Sequence, residues 1–206
     1  MSASPPRGFT LVELLVALAV AGVLLGVGVP SFVDVVRNSR ISAQYNAVVA
    51  ALYLARSEAV KSSEFVTVCS RAAGTETCGG KNDWNNGWIV FVDPTGTDAD
   101  TSASIDADDT VLRIEAPVTG DNTVSVYRPD PGGTSSPVPF VRYRPEGDAH
   151  WGTGSVRLCD GKRGVERSRV VNVVLTGDIR PGRRSGDEDA PRDVANRPIT
   201  CPAPPS

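Results

Sequence analysis

The sequence predicts an α+β fold: one long N-terminal helix, transmembrane in its first half and amphipathic in its second, packed on antiparallel β-sheet, with a disulfide-tied C-terminal tail. Three observations carry this prediction. From Phe9 to Val29 the only polar side chains are Thr10 and Glu13. Farther on, Ile41, Tyr45, Val48, Leu52, Ala55 and Ala59 recur at alternating spacings of four and three, which puts them on one face of a helix. From Phe65 the period shortens to runs of β-branched and aromatic residues separated by turn residues, the pattern of several short antiparallel strands.

The first segment is long enough to matter, because about 20 apolar helical residues span the ~30 Å hydrocarbon core of a bilayer. Residues 9–30 are therefore read as a transmembrane helix. Glu13 is its anomaly: a carboxylate inside a spanning helix costs roughly 2.5–3.5 kcal/mol and marks function. A cut between Gly8 and Phe9 supplies the missing cation, since it leaves a charged amine at Phe9 one helical turn before Glu13. Gly8 has no side chain to impede a protease, and Arg7 holds the preceding residues on the cytoplasmic side. Residues 1–8 are accordingly read as a leader that is removed. A secretory signal peptide has an apolar core of about 7–15 residues, whereas the run from Leu14 to Val29 is longer, and a plain membrane anchor leaves Glu13 unexplained. Pro30 lacks a backbone donor and is expected to kink the helix, which resumes over residues 31–62 as the amphipathic continuation.

Gly8-Phe9-Thr10-Leu11-Val12-Glu13, with the apolar run behind it, closely resembles the class III signal of type IV pilins and pseudopilins. The resemblance implies that a prepilin peptidase cuts after Gly8 and methylates Phe9. It also implies that Glu13 pairs with the N-terminal amine of a neighbouring subunit during assembly, and that Pro30 is the family's helix kink.

Residues 63–180 read as a β-rich head. Strands are expected at Phe65–Cys69, Gly87–Asp93, Thr110–Ala116, Thr123–Arg128, Phe140–Arg144, Ser155–Cys159 and Arg169–Leu175. In the strongest of them, Trp88, Val90 and Val92 share one face and Ile89 and Phe91 the other, so both faces are expected to be covered, one of them by the amphipathic helix. Pro131–Pro137 reads as a Gly/Pro/Ser connector, and Pro145-Glu146-Gly147 and Asp160-Gly161 as turns. Asp93–Asp109 reads as a solvated acidic loop; its aspartates invite calcium, but the spacing and closing Glu of an EF-hand are missing. Residues 181–206 form a Pro/Arg/Asp-rich tail with little apolar surface, expected to be disordered but for Cys201.

Four cysteines, Cys69, Cys78, Cys159 and Cys201, make an even set on the extracytoplasmic side of the predicted anchor, where disulfides persist. Three pairings are open to them; proximity favours Cys69–Cys78 and, by elimination, Cys159–Cys201. No two of them stand at zinc-motif spacing, and His150 is the only histidine, so no metal is expected. No catalytic residue or cofactor is expected either: HExxH and GxSxG are absent, and Gly74 to Asn82 departs from a P-loop by one extra residue before Gly-Lys and by lacking Ser or Thr after it. Trp84, Trp88 and Trp151 read as core rather than as stacking platforms.

The head's order of features resembles the GspH/FimT family of minor pilins and pseudopilins. The residues that carry this are Val66-Thr67-Val68-Cys69, Trp84 with Gly87 to Asp93, Val111-Leu112-Arg113, Tyr143-Arg144-Pro145-Glu146-Gly147 and Leu158-Cys159-Asp160. The resemblance implies a minor type IV pilin, a non-enzymatic subunit co-assembled with other major and minor pilins. Such a subunit is held in the bacterial inner membrane by one pass with its head in the periplasm, and is then extracted into the pilus. The alternative is the H-type minor pseudopilin of a type II secretion system. A third reading is a pilus-tip DNA-binding subunit for DNA uptake, because FimT-type members that take up DNA carry a Gly-Arg-x-Arg motif after the last strand. Here Gly177-Asp178-Ile179-Arg180 has an acid in the first arginine place and Gly182-Arg183-Arg184-Ser185 has Ser in the second. Arg180, Arg183 and Arg184 form a small basic patch amid Asp178, Asp187, Glu188 and Asp189. In a chain with 21 basic against 24 acidic residues, this predicts a charge-balanced tail and at most weak, non-specific DNA binding.

Overall fold

The structure is a computed structural model that describes residues 8–98, 102–130, 134–149, 153–184 and 190–201. Expectations for leader residues 1–7 and for Asp100, Gly132, His150, Trp151, Ser185, Asp187, Glu188, Asp189 and 202–206 lie outside the described residues, as does the side chain of Pro30. The chain divides into two compact units, Met1–Arg40 and Ile41–Ser206.

A single α-helix, α1, spans Leu11–Ser62 and continues without a break across position 30. In the first unit, Thr10 caps it: the Glu13 N–H donates to Thr10 Oγ1 at 3.3 Å, and Glu13 in the first turn suits the positive end of the helix dipole. The described apolar side chains of this half are exposed, Leu11 at 75 % and Leu24 at 67 %. By length and composition this is a helix that can cross a membrane.

In the second unit α1 buries Ile41, Val48, Leu52, Ala55 and Ala59 of the stripe its periodicity predicts, leaves Tyr45 half-buried, and buries Ala51 as well. The three alanines on that face let the sheets approach the helix closely. The helix stops where Ser63 takes a positive φ of 59° and its N–H turns back to the Ala59 carbonyl.

Nine strands follow among the described residues: β1 Phe65–Ser70, β2 Trp88–Asp93, β3 Thr110–Ile114, β4 Asn122–Pro129, β5 Ser135–Pro137, β6 Phe140–Tyr143, β7 Gly154–Asp160, β8 Gly164–Val173 and β9 Ile179–Pro181. They form two antiparallel sheets, ordered β3-β2-β1-β6 and β5-β4-β7-β8-β9. One core joins the helix to both: Val66, Val68, Val90, Val92 and Tyr143 of the first sheet meet Val124, Val126, Val156, Leu158 and Val171 of the second around Val48, Leu52 and Ala55. On the other face of the first sheet Cys69, Ile89, Phe91 and Phe140 are covered by Cys78, Ala103, Ile105 and Ile114, so part of the acidic loop is a lid over apolar surface. Gly87 makes this layering possible. At φ 98° its missing Cβ would sit 2.2 Å from the Glu115 carbonyl oxygen.

Three sequence expectations need correction. The connector at 131–137 ends in a strand, because Ser135–Pro137 pairs with Tyr127–Pro129. The last expected strand begins earlier and ends sooner than 169–175: β8 starts at Gly164, and Leu175 lies past its end, 57 % exposed. The tail also has structure of its own, since β9 pairs with Val171–Val173, Arg192 bridges Pro198, and Ile199 and Asp193 are buried.

Candidate functional site

The N-terminal segment is the simplest site. Gly8 stands in open space, Phe9 is 83 % exposed, and the exposed Glu13 carboxylate has no partner among the described residues. A lone carboxylate on an apolar helix is costly once water is removed unless a cation pairs with it.

The head's charged groups serve its loops. Buried Arg142 reaches Thr67 Oγ1 at 2.8 Å, the Thr97 carbonyl at 3.0 Å and Asp93 at 2.8 Å. Arg144 grips both oxygens of Asp98 at 2.7 and 2.6 Å and also Asp148 at 3.1 Å. Two of the aspartates that invited a calcium reading thus hold guanidinium groups. Among the described residues no cluster of three or more potential ligands could hold a metal.

Arg56 leaves α1 to clasp three acceptors on two loops: the carbonyls of Gly147 at 3.1 Å and Thr176 at 3.0 Å, and Asp178 at 3.0 Å. The Arg180 guanidinium, then Arg56, holds the Asp178 carboxyl below its usual range. Gly177, at φ 77°, brings the two loops together, because a Cβ there would lie 1.9 Å from the Gly147 carbonyl oxygen.

Cys69 is bonded to Cys78 and Cys159 to Cys201, with Cα separations of 5.6 and 5.7 Å. The second bond fixes the tail next to a buried charge cluster. Asp193 pairs with Arg157 at 3.4 Å and with Arg197 at 3.2 Å, and its Oδ1 accepts the N–H groups of Ala195 and Arg197. Arg157 also stacks 4.0 Å above the Tyr127 ring; burial pulls its pKa down against the pull of Asp193. Ser155 Oγ accepts the Val194 N–H and donates to Asn172, whose Nδ2 donates to the Arg192 carbonyl.

The three arginines singled out in the sequence do not form one patch. Arg184 folds back onto the carbonyls of Glu166 and Ser168 at 2.7 and 3.1 Å, and Arg180 pairs with Asp178 at 3.2 Å. Arg183 is exposed and has no side-chain partner among the described residues. Arg180 and Arg183 instead line an open groove of about 400 Å³ with Arg192, Asn172, Asn196 and Asp193. Sequence reasoning missed Arg192. Its place beside Arg183, set by the Arg192 N–H donating to the Arg183 carbonyl, depends on a return of the tail that no local pattern announces.

A profile described as Type II transport protein GspH matches residues 44–177, more than half of the chain. The chain belongs to the GspH family. A second profile, the prokaryotic N-terminal methylation motif, matches residues 4–29. No curated protein matches the chain. Two crystal forms of the type IV minor pilin FimU of Pseudomonas aeruginosa (strain PAO1) are similar in structure at 17 % identity. One has a TM-score of 0.45, covering 74 % of this chain and 92 % of that one; the other has a TM-score of 0.42, covering 71 % and 90 %.

The extent of the GspH match is informative. It takes in the head half of α1, β1 to β8 and Cys69, Cys78 and Cys159, and it stops at Gly177. Arg180, Arg183, Arg192 and Cys201, and with them most of the groove, lie beyond it. The methylation motif encloses Gly8, Phe9 and Glu13.

Proposed function

We propose that this GspH-family protein is a minor type IV pilin. On this reading a prepilin peptidase removes residues 1–8 and methylates Phe9. Residues 9–30 then hold the protein in the bacterial inner membrane with residues 31–62 continuing the helix, and the head at 63–180 and tail at 181–206 stay in the periplasm until the subunit is drawn into a pilus beside other pilins. The observation that carries this is the uncovered apolar helix with a single unpaired acid, Glu13, set immediately behind Gly8-Phe9. The subunit needs no chemistry of its own: its proposed work is to pack, with Glu13 taking the amine of a neighbour's Phe9. N-terminal sequencing of membrane-extracted protein tests it, with N-methylated Phe9 as the expected first residue. A first residue near Ser31 overturns it.

The description of the matching family, a type II transport protein, favours a second reading in the same architecture, a minor pseudopilin of a type II secretion system. Deleting the gene separates the two: loss of pili with normal protein secretion supports the pilin, and the reverse supports the pseudopilin. Duplex DNA as a partner draws little support, since Arg184 and Arg180 are engaged within the chain and phosphate contact needs a run of available cations.

A further inference from the structure

The solvent side of α1 in the head repeats the spacing of the buried side without its cover. A helix packed on a protein by one stripe ordinarily turns charged side chains to water on the other. Here the exposed stripe is Ala43, Asn46, Ala50, Tyr53, Ser57 and Val60, at alternating spacings of three and four, and it holds no charge. The stripe is also sorted by size. Ala43, Ala50 and Ser57 make a row of small residues at every seventh position, and Asn46, Tyr53 and Val60 make a row of larger ones beside it. That alternation belongs to a seam between two helices, the small row supplying holes and the larger row knobs.

Both flanks of the stripe carry apolar surface from other elements. Among the described residues of the head four large apolar side chains are exposed, and three of them belong to this side: Tyr53 at 51 %, Val60 at 54 % and Leu175 at 57 %. Leu175 stands next to Thr176, whose carbonyl Arg56 holds against one flank of the stripe. On the opposite flank, Ala43 and Ala47 form an apolar groove of about 280 Å³ with Trp88, Pro117 and Val118. An exposed apolar patch of this kind, gathered rather than scattered, marks a surface that another protein covers.

We propose that this side of the head receives a helix of a different pilin, laid along α1 with its large apolar side chains over Ala43, Ala50 and Ser57. The spacing names the occupant as a helix, since a strand repeats its side chains every second residue. The missing charge names its chemistry: a charged stripe would lose water here and find no partner across the seam. At ~1.5 Å per residue the stripe is about 25 Å long, so roughly five turns of the partner's helix can lie on it. A second, parallel copy of this chain fits badly, because small residues would face small ones and Tyr53 would face Tyr53. The inference rests on the minor-pilin reading and names the kind of neighbour that the head's helix selects.

The test uses the full-length chain in cells. Ala50→Glu puts a charge in the small row and Ala50→Leu fills a hole; both introduce good helix formers at an exposed position, so thermal melting should be unchanged. Each should lower the amount in sheared filaments about tenfold or more, while membrane insertion and the start at Phe9 stay as in wild type. Ala50→Ser should assemble like wild type. Wild-type abundance of Ala50→Glu or Ala50→Leu in filaments overturns the proposal. The occupant is read by exchanging Tyr53 for the photo-crosslinking amino acid p-benzoylphenylalanine and mapping the adducts by mass spectrometry. The expected adduct joins position 53 to a helix of another pilin. An adduct to a second copy of this chain, an adduct to a neighbour's sheet or loop, or no adduct overturns the proposal. With a normal start at Phe9, such a result removes the seam and leaves the pilin reading standing; a different first residue removes the pilin reading itself.

Discussion

Arg56 shows how much of the head hangs on single side chains. From the edge of the buried stripe on α1 it ties the helix to the loop after β6 and to the turn between β8 and β9, through acceptors 91, 120 and 122 residues away in sequence. Its side chain is 32 % exposed, so solvent screening discounts the ion pair with Asp178 and leaves the two carbonyl bonds as the larger part. Arg56→Ala is expected to destabilise the head by about 1–2 kcal/mol in urea denaturation, and Arg56→Lys to rescue little of it, since a single ammonium cannot span three diverging acceptors. At this scale the sequence was informative where the partner is near or the residue type is out of place. Glu13 is conspicuous in an apolar run, and Cys78 lies nine residues from Cys69. Arg56 and Arg192 were invisible because their roles come from chain segments that only tertiary structure brings to them.

At the scale of elements, the strands that were legible are those with alternating apolar residues, and β5 and β9 were not because they are held by partners rather than by composition. Ser135–Pro137 has Pro and Ser where a strand usually has β-branched residues; it exists because Tyr127–Pro129 offers it a ladder. Ile179–Pro181 ends in a proline suited only to an edge, which is where it sits. The opening of β8 was hidden by its charges: Glu166 and Arg167 face solvent, and after the isolated Val165 the apolar run starts only at Val170. The tail is the element most changed from expectation. The Cys159–Cys201 bond closes a loop of 42 residues, worth about 4 kcal/mol in the chain-entropy account. Asp193 and Ile199 also pin the segment. Replacing both cysteines by serine should therefore leave residues 190–200 largely protected in limited proteolysis. Adding Asp193→Asn, which weakens the grip on Arg157 and Arg197, should release them to cleavage while the two sheets stay folded. Equal cleavage of the double and triple variants would show that the charge cluster does not hold the tail.

For the whole molecule, the sequence was most informative, because its division of labour is written in composition. The helix half with no charge between Glu13 and Asp34 leaves its described apolar side chains exposed, whereas the half that alternates apolar and polar residues packs on both sheets. A bilayer can cover the first half, and so can the helices of neighbouring subunits; Glu13 discriminates between these environments. In lipid alone the acid is a cost of roughly 2.5–3.5 kcal/mol, so removing it should favour the membrane. On the proposed pilin reading the acid answers a neighbour's terminal amine in the filament, so removing it leaves that amine buried and unpaired, a loss of about 3–5 kcal/mol. Glu13→Leu should accordingly insert in the membrane and be cut at Phe9 as well as wild type, yet fall to a small fraction of the wild-type amount in sheared filaments. Glu13→Gln, which keeps the shape and the hydrogen-bonding oxygen but not the charge, should lie between them. The comparison is read by immunoblotting membrane and filament fractions from the same cells. Wild-type abundance of Glu13→Leu in filaments would mean that the acid has some other use than pairing subunits.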